Sequence, residues 1–322
     1  MPHCGRPSLF PPSDRVKSIG PAIGPTRSAR GTPSSRRIGH TDAGLPYRAM
    51  PDHSTRRLDP VASALSGVRR QDGRFTFTVS DDWLQGRTTF GALLAAFGLR
   101  AIRDLVGGGR PLRSAQVVFA GPVGRGPVSA DAGIVREGRS VTLAHASVGS
   151  GEAPGCLVSA AFGAPRESGL PRLAAARPIS LPPPHQTPEV PFVPGVTPSC
   201  VQHFELRWAF GDTPQSGGRA DEIGVYVRLK HGEADVETLA LMVADVLPSP
   251  AQSAATGPVV SSSVSWYVQC LPLPGGVATD GWWLNHTVLT ALADGYAHQT
   301  SAVWAPSGEL AVVAHQMMTV YA

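Results

Sequence analysis

The chain predicts an α+β fold in which two copies of an antiparallel sheet each wrap a central helix, and three observations carry that prediction. Residues 89–163 and 235–322 repeat one plan, an apolar helical stretch followed by long alternating runs. Ten prolines in the 34 residues from Pro165 to Pro198 separate the copies. The second helical stretch is apolar around so much of its circumference that it needs a sheet curled about it.

Taken in order, residues 1–57 lack helical or strand periodicity and are rich in Pro, Gly, Ser and Arg. Such a segment buries too little apolar surface to offset the entropy of ordering, so a disordered tail is expected there. Met50 within it is a candidate alternative start. Folded sequence is expected from Arg74, where FTFTV alternates as a strand does. The first helix is predicted over Thr89 to Asp104, with Leu93, Leu94, Phe97 and Ile102 at helical spacing, and Gly107 to Gly109 end it. Strand-like runs follow at Ser114–Ala120, Val128–Val135, Ser140–Ser147 and Cys156–Phe162, closing a first unit over residues 74–164. Residues 165–198, with the run Pro182, Pro183 and Pro184, suit neither a helix nor a central strand and read as an extended linker crossing one unit. The second unit, residues 199–322, opens with alternating runs at Val201–Phe210 and Ile223–Lys230. Its helix is predicted over Asp235–Leu247, and further runs cover Ser261–Leu271, Trp282–Thr290, Gly295–Trp304 and Glu309–Tyr321. Asp294 and Gly295 read as a turn between two of these.

Charge and cysteine usage narrow the function classes. Residues 1–57 carry ten Lys/Arg against three acids, so the formal +4 of the chain hides a remainder of −3. A mildly acidic body gives no electrostatic reason to expect nucleic acid. The four cysteines are far apart and fit no zinc spacing or disulfide framework. No apolar run is long enough to span a bilayer, and a reducing cytoplasm is the expected location. There is no GxSxG, HExxH or GxxxxGK[ST], so a serine nucleophile elbow, a zincin site and a phosphate loop are unsupported.

Several residues stand out chemically. Asp245 is the only acid within Leu239–Leu247, where a carboxylate is costly unless paired or functional, although Pro248 ends the helix nearby and leaves a solvent-facing role open. Gln316 lies among apolar residues in AVVAHQMMTV, and alternation places it and His315 on opposite faces. Gly91, following Phe90 at the start of the first helix, either lets backbone approach a ligand or simply packs, with Thr89 as cap. Five tryptophans, including Trp266, cluster in the second unit as core or channel residues.

One helix wrapped by a sheet, repeated after a long connector, is the layout of a double hotdog. Over residues 74–322 the segments WLQGRTTFGALLAAFGLRA, REGRSVTLAHASV, ALMVADVLP, SSSVSWYVQ, ADGYAHQTSAVW and GELAVVAHQMM resemble the type II acyl-CoA thioesterase family and its thioesterase-like relatives. The resemblance implies an enzyme cleaving an acyl thioester to free acid and CoA by direct attack of water, with acyl-CoA as partner and no metal or redox cofactor. In the family an acid of the second helix, a Thr and a Gln hold that water. Asp245 and Gln316 match the acid and the Gln; the Thr position falls at Val260, and Ser262 on the same face becomes the candidate hydroxyl. Gly91, Phe90 and Trp266 become the candidate substrate contacts. The Val260 departure keeps a second reading open, a double hotdog that binds acyl thioesters without turnover. Whether copies associate as a homo-oligomer is also open.

Overall fold

The computed structural model describes residues 58, 60–69, 73–171, 180–219, 221–231, 233–275 and 277–321. The tail over residues 1–57, Met50 within it, and residues 172–179 of the linker lie outside them. Helix α1 (Val61–Ala64) and strand β1 (Val68–Arg69) come first, followed by β2 (Phe75–Val79), β3 (Leu84–Gln85) and β4 (Thr88–Thr89). Helix α2 (Gly91–Val106) then leads into β5 (Leu112–Phe119), β6 (Gly126–Glu137), β7 (Val141–Gly149) and β8 (Cys156–Gly163). After the linker come β9 (Glu189–Val190), β10 (Phe204–Phe210), β11 (Glu222–Leu229) and helix α3 (Val236–Asp245). Strands β12 (Val260–Cys270), β13 (Trp283–Ala293), β14 (Tyr296–Trp304) and β15 (Leu310–Tyr321) complete the chain.

This is the expected double hotdog, and its duplication is a matter of sheet order. Thirteen strands form one antiparallel sheet in the order β1-β2-β6-β7-β8-β5-β12-β15-β14-β13-β11-β10-β9. Reading outward from the middle, β5-β8-β7-β6-β2 on one side repeats β12-β15-β14-β13-β11 on the other. The seam is the β5–β12 pairing, with Val117 opposite Trp266 and Ala115 opposite Val268. Across it, described residues of both halves join in one hydrophobic core.

Each helix fills the hollow of its half. Ten of the 16 residues of α2 are buried, so its amphipathic pattern reads as a core helix with a narrow exposed edge through Arg100 and Asp104. In α3 every residue from Leu239 to Asp245 is buried, and the Asp235 side chain caps the start by accepting from Thr238 N. The two inner sheet faces differ. The first presents Ala144, Ala146, Val158, Ala160 and Phe162, whereas the second presents Asn285, Thr287, Gln299, Ser301 and Gln316, all buried.

Three details depart from the sequence reading. Ordered structure begins before Arg74: Val61 and Ala64 of α1 are buried in the core, in a helix too short to show a period. Thr89 does not cap α2; its hydroxyl donates to Val123 O at 2.8 Å, and Phe90 occupies the cap position without a side-chain bond. The run at Val201 starts as a 3-10 turn over Ser199–His203, and the strand begins only at Phe204. The linker, in turn, lies against the second half: Tyr226 donates to Pro182 O, Trp208 N to Pro188 O, and β9 pairs with β10. Asp294 and Gly295 form the two-residue turn between β13 and β14, both with positive φ, as the tight primed hairpin turns require.

Gly98 shows how closely α2 meets its sheet. A Cβ there would stand 2.9 Å from Val158 Cγ2 and 3.3 Å from Val148 Cγ2. Helix propensity alone favours replacing this glycine. Overpacking should win instead, so Gly98→Val is expected to destabilise the fold by about 2 kcal/mol in urea denaturation.

Candidate functional site

The most informative contact joins the two helices end to end. Asp245, the last residue of α3, accepts a hydrogen bond at Oδ2 from the backbone N–H of Ala92, in the first turn of α2, at 2.8 Å. The first N–H groups of a helix have no partner of their own, and a carboxylate there meets the positive end of the helix dipole. The C-terminus of α3 is less hospitable, since its own dipole end is negative. Asn285 on β13 relieves that end by donating to Val243 O at 2.7 Å, and Thr287 donates to Asn285 Oδ1 at 3.0 Å.

The second oxygen of Asp245 is tied to the sheet. Gln316 on β15 donates through Nε2 to Asp245 Oδ1 and to Ser263 Oγ on β12, both at 2.9 Å. Its Oε1 accepts from Nε2 of Gln299, directly opposite on β14, at 2.9 Å. Both donors and the acceptor of Gln316 are thus engaged. His315 faces outward and Gln316 inward, as strand alternation requires.

The hydroxyl in this cluster belongs to Ser263, and the expected Ser262 is exposed, paired with Thr319. The cause is a β-bulge. The register of β12 against β15 shifts between Ser263 and Ser265, so Val264 is an extra residue. Counting back from Trp266 by twos therefore gives the wrong face beyond Val264, because one inserted residue reverses the alternation. Val260 is 67% exposed, so the departure at that position leaves the cluster untouched.

The proposed substrate contacts divide. Gly91 adjoins the carboxylate: a Cβ on it would lie 2.8 Å from Asp245 Oδ2 and 3.0 Å from the Phe119 ring. Phe90 is fully buried, stacked near Trp83 and edge-on to Phe204. Trp266 is also buried and lies across the strand pair from Gln316. Sequence reasoning passed over Ser263, Gln299 and Asn285. Gln299 and Ser301 on β14, with Asn285 and Thr287 on β13, carry a readable signal, polar side chains at the inward positions of otherwise buried strands.

Burial sets the electrostatics of the cluster. It pushes the Asp245 carboxyl up from 3.8 to about 7, against the opposing pull of the bonds from Gln316 and Ala92 N. Cys156 on β8 and Cys200 in the turn before β10 are neutral thiols, pushed up to about 12 by burial and then by the charge of Asp245.

The opposite ends of the two helices meet in a different way. Glu237, in the first turn of α3, pairs with Arg103, in the last turn of α2, and accepts from Leu112 N at 2.7 Å. A cleft of about 1020 Å³ opens there, with Leu112, Arg113, Val236, Glu237, Ala240 and Cys270 in its wall, and none of the Asp245 cluster lines it.

Comparisons with known proteins agree with this architecture. The chain matches the model of the acyl-CoA thioesterase N-terminal domain over residues 79–163 and that of the acyl-CoA thioesterase C-terminal domain over residues 178–320. No curated protein matches it. Among solved structures it is similar to a conserved hot dog fold protein of unknown function from Alicyclobacillus acidocaldarius, at 22% identity and TM-score 0.72, covering 81% of this chain and 98% of that one. It is also similar to an acyl-CoA thioesterase II from Mycobacterium marinum, at 16% identity and TM-score 0.64, covering 81% and 98%. The helix pair, the shared sheet and both domain matches together place the chain in the acyl-CoA thioesterase family.

Proposed function

We propose that the protein hydrolyses an acyl-CoA thioester by direct attack of a water held at Asp245, Gln316 and Ser263. One observation carries the reading: a buried carboxylate, an amide and a hydroxyl converge at the N-terminus of α2. Asp245, when ionised, takes a proton from the attacking water, and a carboxyl titrating near the working pH suits that task. Gln316 spends both N–H groups on Asp245 Oδ1 and Ser263 Oγ and so holds these two in place, and the Ser263 hydroxyl hydrogen bonds the water. The start of α2 meets the negative charge that develops on the thioester oxygen with the backbone N–H of Gly91 and the positive end of the helix dipole, the Ala92 N–H being engaged by Asp245 Oδ2. The absence of a Cβ at Gly91 lets the Asp245 carboxylate come up against the start of α2. The reading includes a cytoplasmic location, in keeping with the free thiols of Cys156, Cys200 and Cys270 and with no helix among the described residues long and apolar enough to cross a membrane.

Release of free CoA from acyl-CoAs of increasing chain length, followed with a thiol reagent, tests this. Asp245→Asn should lower kcat/KM by about 10²- to 10⁴-fold, the range for a lost general base. Ser263→Ala should cost about 10-fold, while Ser262→Ala, on the exposed face, should stay within about 2-fold. Acyl-CoA binding without turnover in the native protein would replace hydrolysis by a binding role.

The protonation of Asp245 gives a second test, independent of substrate. Because the folded chain holds this proton more tightly than the unfolded chain, the stability contributed by Asp245 is greatest below about pH 4 and falls as pH rises to about 7. The full span is on the order of 4 kcal/mol. Urea denaturation should therefore show native stability dropping between about pH 4 and about pH 7 relative to Asp245→Asn. The rate kcat/KM should rise about the folded-state value alone, from about pH 6 to about pH 8, since only ionised Asp245 accepts the proton of water.

A further inference from the structure

We propose that Gln299 is a positioning residue, which fixes the amide of Gln316 with its NH₂ toward Asp245 and Ser263. The inference rests on the site described above and adds a residue that no motif points to. The terminal torsion of a glutamine side chain is broad and nearly two-fold, so a buried amide has two orientations of similar shape and opposite polarity. One of them points NH₂ at the carboxylate. The other points the carbonyl oxygen at it.

What selects between them is the neighbour on the far side. Gln299 Nε2 donates to Gln316 Oε1 at 2.9 Å, from a position directly across the β14–β15 ladder. Gln299 is only 6% exposed, and its own Oε1 has no partner among the described residues. A buried amide oxygen left in this state is a cost to the fold, so the side chain is a poor choice for packing alone. The orientation it enforces favours ionised Asp245, because a carboxylate accepts from the NH₂ group and is repelled by a carbonyl oxygen. Without Gln299, Gln316 is free to turn its oxygen toward the carboxyl and accept a proton from it, which stabilises the acid form. The ionisable groups that reach Asp245 from neighbouring elements are the Cys156 thiol from β8 and the Cys200 thiol from the turn before β10, both neutral. Neither competes with the amide for control of the titration.

The test follows Asp245 directly. Protein labelled with ¹³C at aspartate is titrated by NMR as native chain, Gln299→Met, which keeps the shape and removes the amide, and Gln299→Glu, which keeps the volume and removes the donor once ionised. Both variants should raise the apparent Asp245 pKa by about one unit. In the Gln316→Ala background Gln299→Met should add nothing to that shift. Acyl-CoA hydrolysis by Gln299→Met should fall about 5-fold at pH 7 and less than about 2-fold at pH 9, because the carboxylate is recovered in alkali. An Asp245 titration left in place by both variants, or a shift that persists when Gln316 is already alanine, overturns the proposal. A native chain without hydrolysis, combined with a shifted titration, refutes the hydrolytic reading while the positioning role stands.

Discussion

Everything at the site depends on the antiparallel pairing of β5 with β12. Those strands are the innermost members of their halves, and their ladder makes two wrapped sheets into one. Without it α2 and α3 would each lie in a separate hollow. With it, the end of α3 meets the start of α2, and a side chain bonds a backbone group 153 residues away in sequence. A few backbone hydrogen bonds at the seam thus set the geometry of a contact that neither half can make alone.

The second constraint is the desolvation of Asp245. A carboxylate taken out of water is costly, and a helix N-terminus and one amide, itself anchored to Ser263, offset part of that cost. Polar residues recruited for the purpose occupy the inner face of the second sheet, where the first sheet has alanines and valines. The consequence is a local loss of apolar packing in one half only. Natural proteins concentrate such departures where they act.

The fold was legible because its signals were long. Alternation over nine to twelve residues in β6, β7, β13, β14 and β15, and apolar helices of ten or more residues, survive errors of one or two positions. Asp245 and Gln316 were legible for a related reason, each being a polar exception within an apolar run. Alternation from Val260 points to Ser262 and passes over Ser263, because it counts residues and a bulge adds one that no residue type announces. Gln299 sits at an inward position of an alternating strand, but the outward residues of β14 are also polar, so the contrast that marks Asp245 and Gln316 is weaker there. Short elements such as α1 and the turn at Ser199 fall below the length at which periodicity means anything.

The mirror order of strands about the seam has an evolutionary consequence. Two identical hotdog chains joined by a two-fold axis would have two identical helix-end junctions, and any mutation would alter both at once. Joining the copies in tandem, through the proline-rich strap, breaks that equivalence. One junction sets the Asp245 carboxylate against a helix start, while the other holds an Arg103–Glu237 ion pair beside a cleft. Fusion of this kind lets selection tune one junction for chemistry while the other drifts toward stability or toward a separate ligand, a freedom closed to the symmetric dimer.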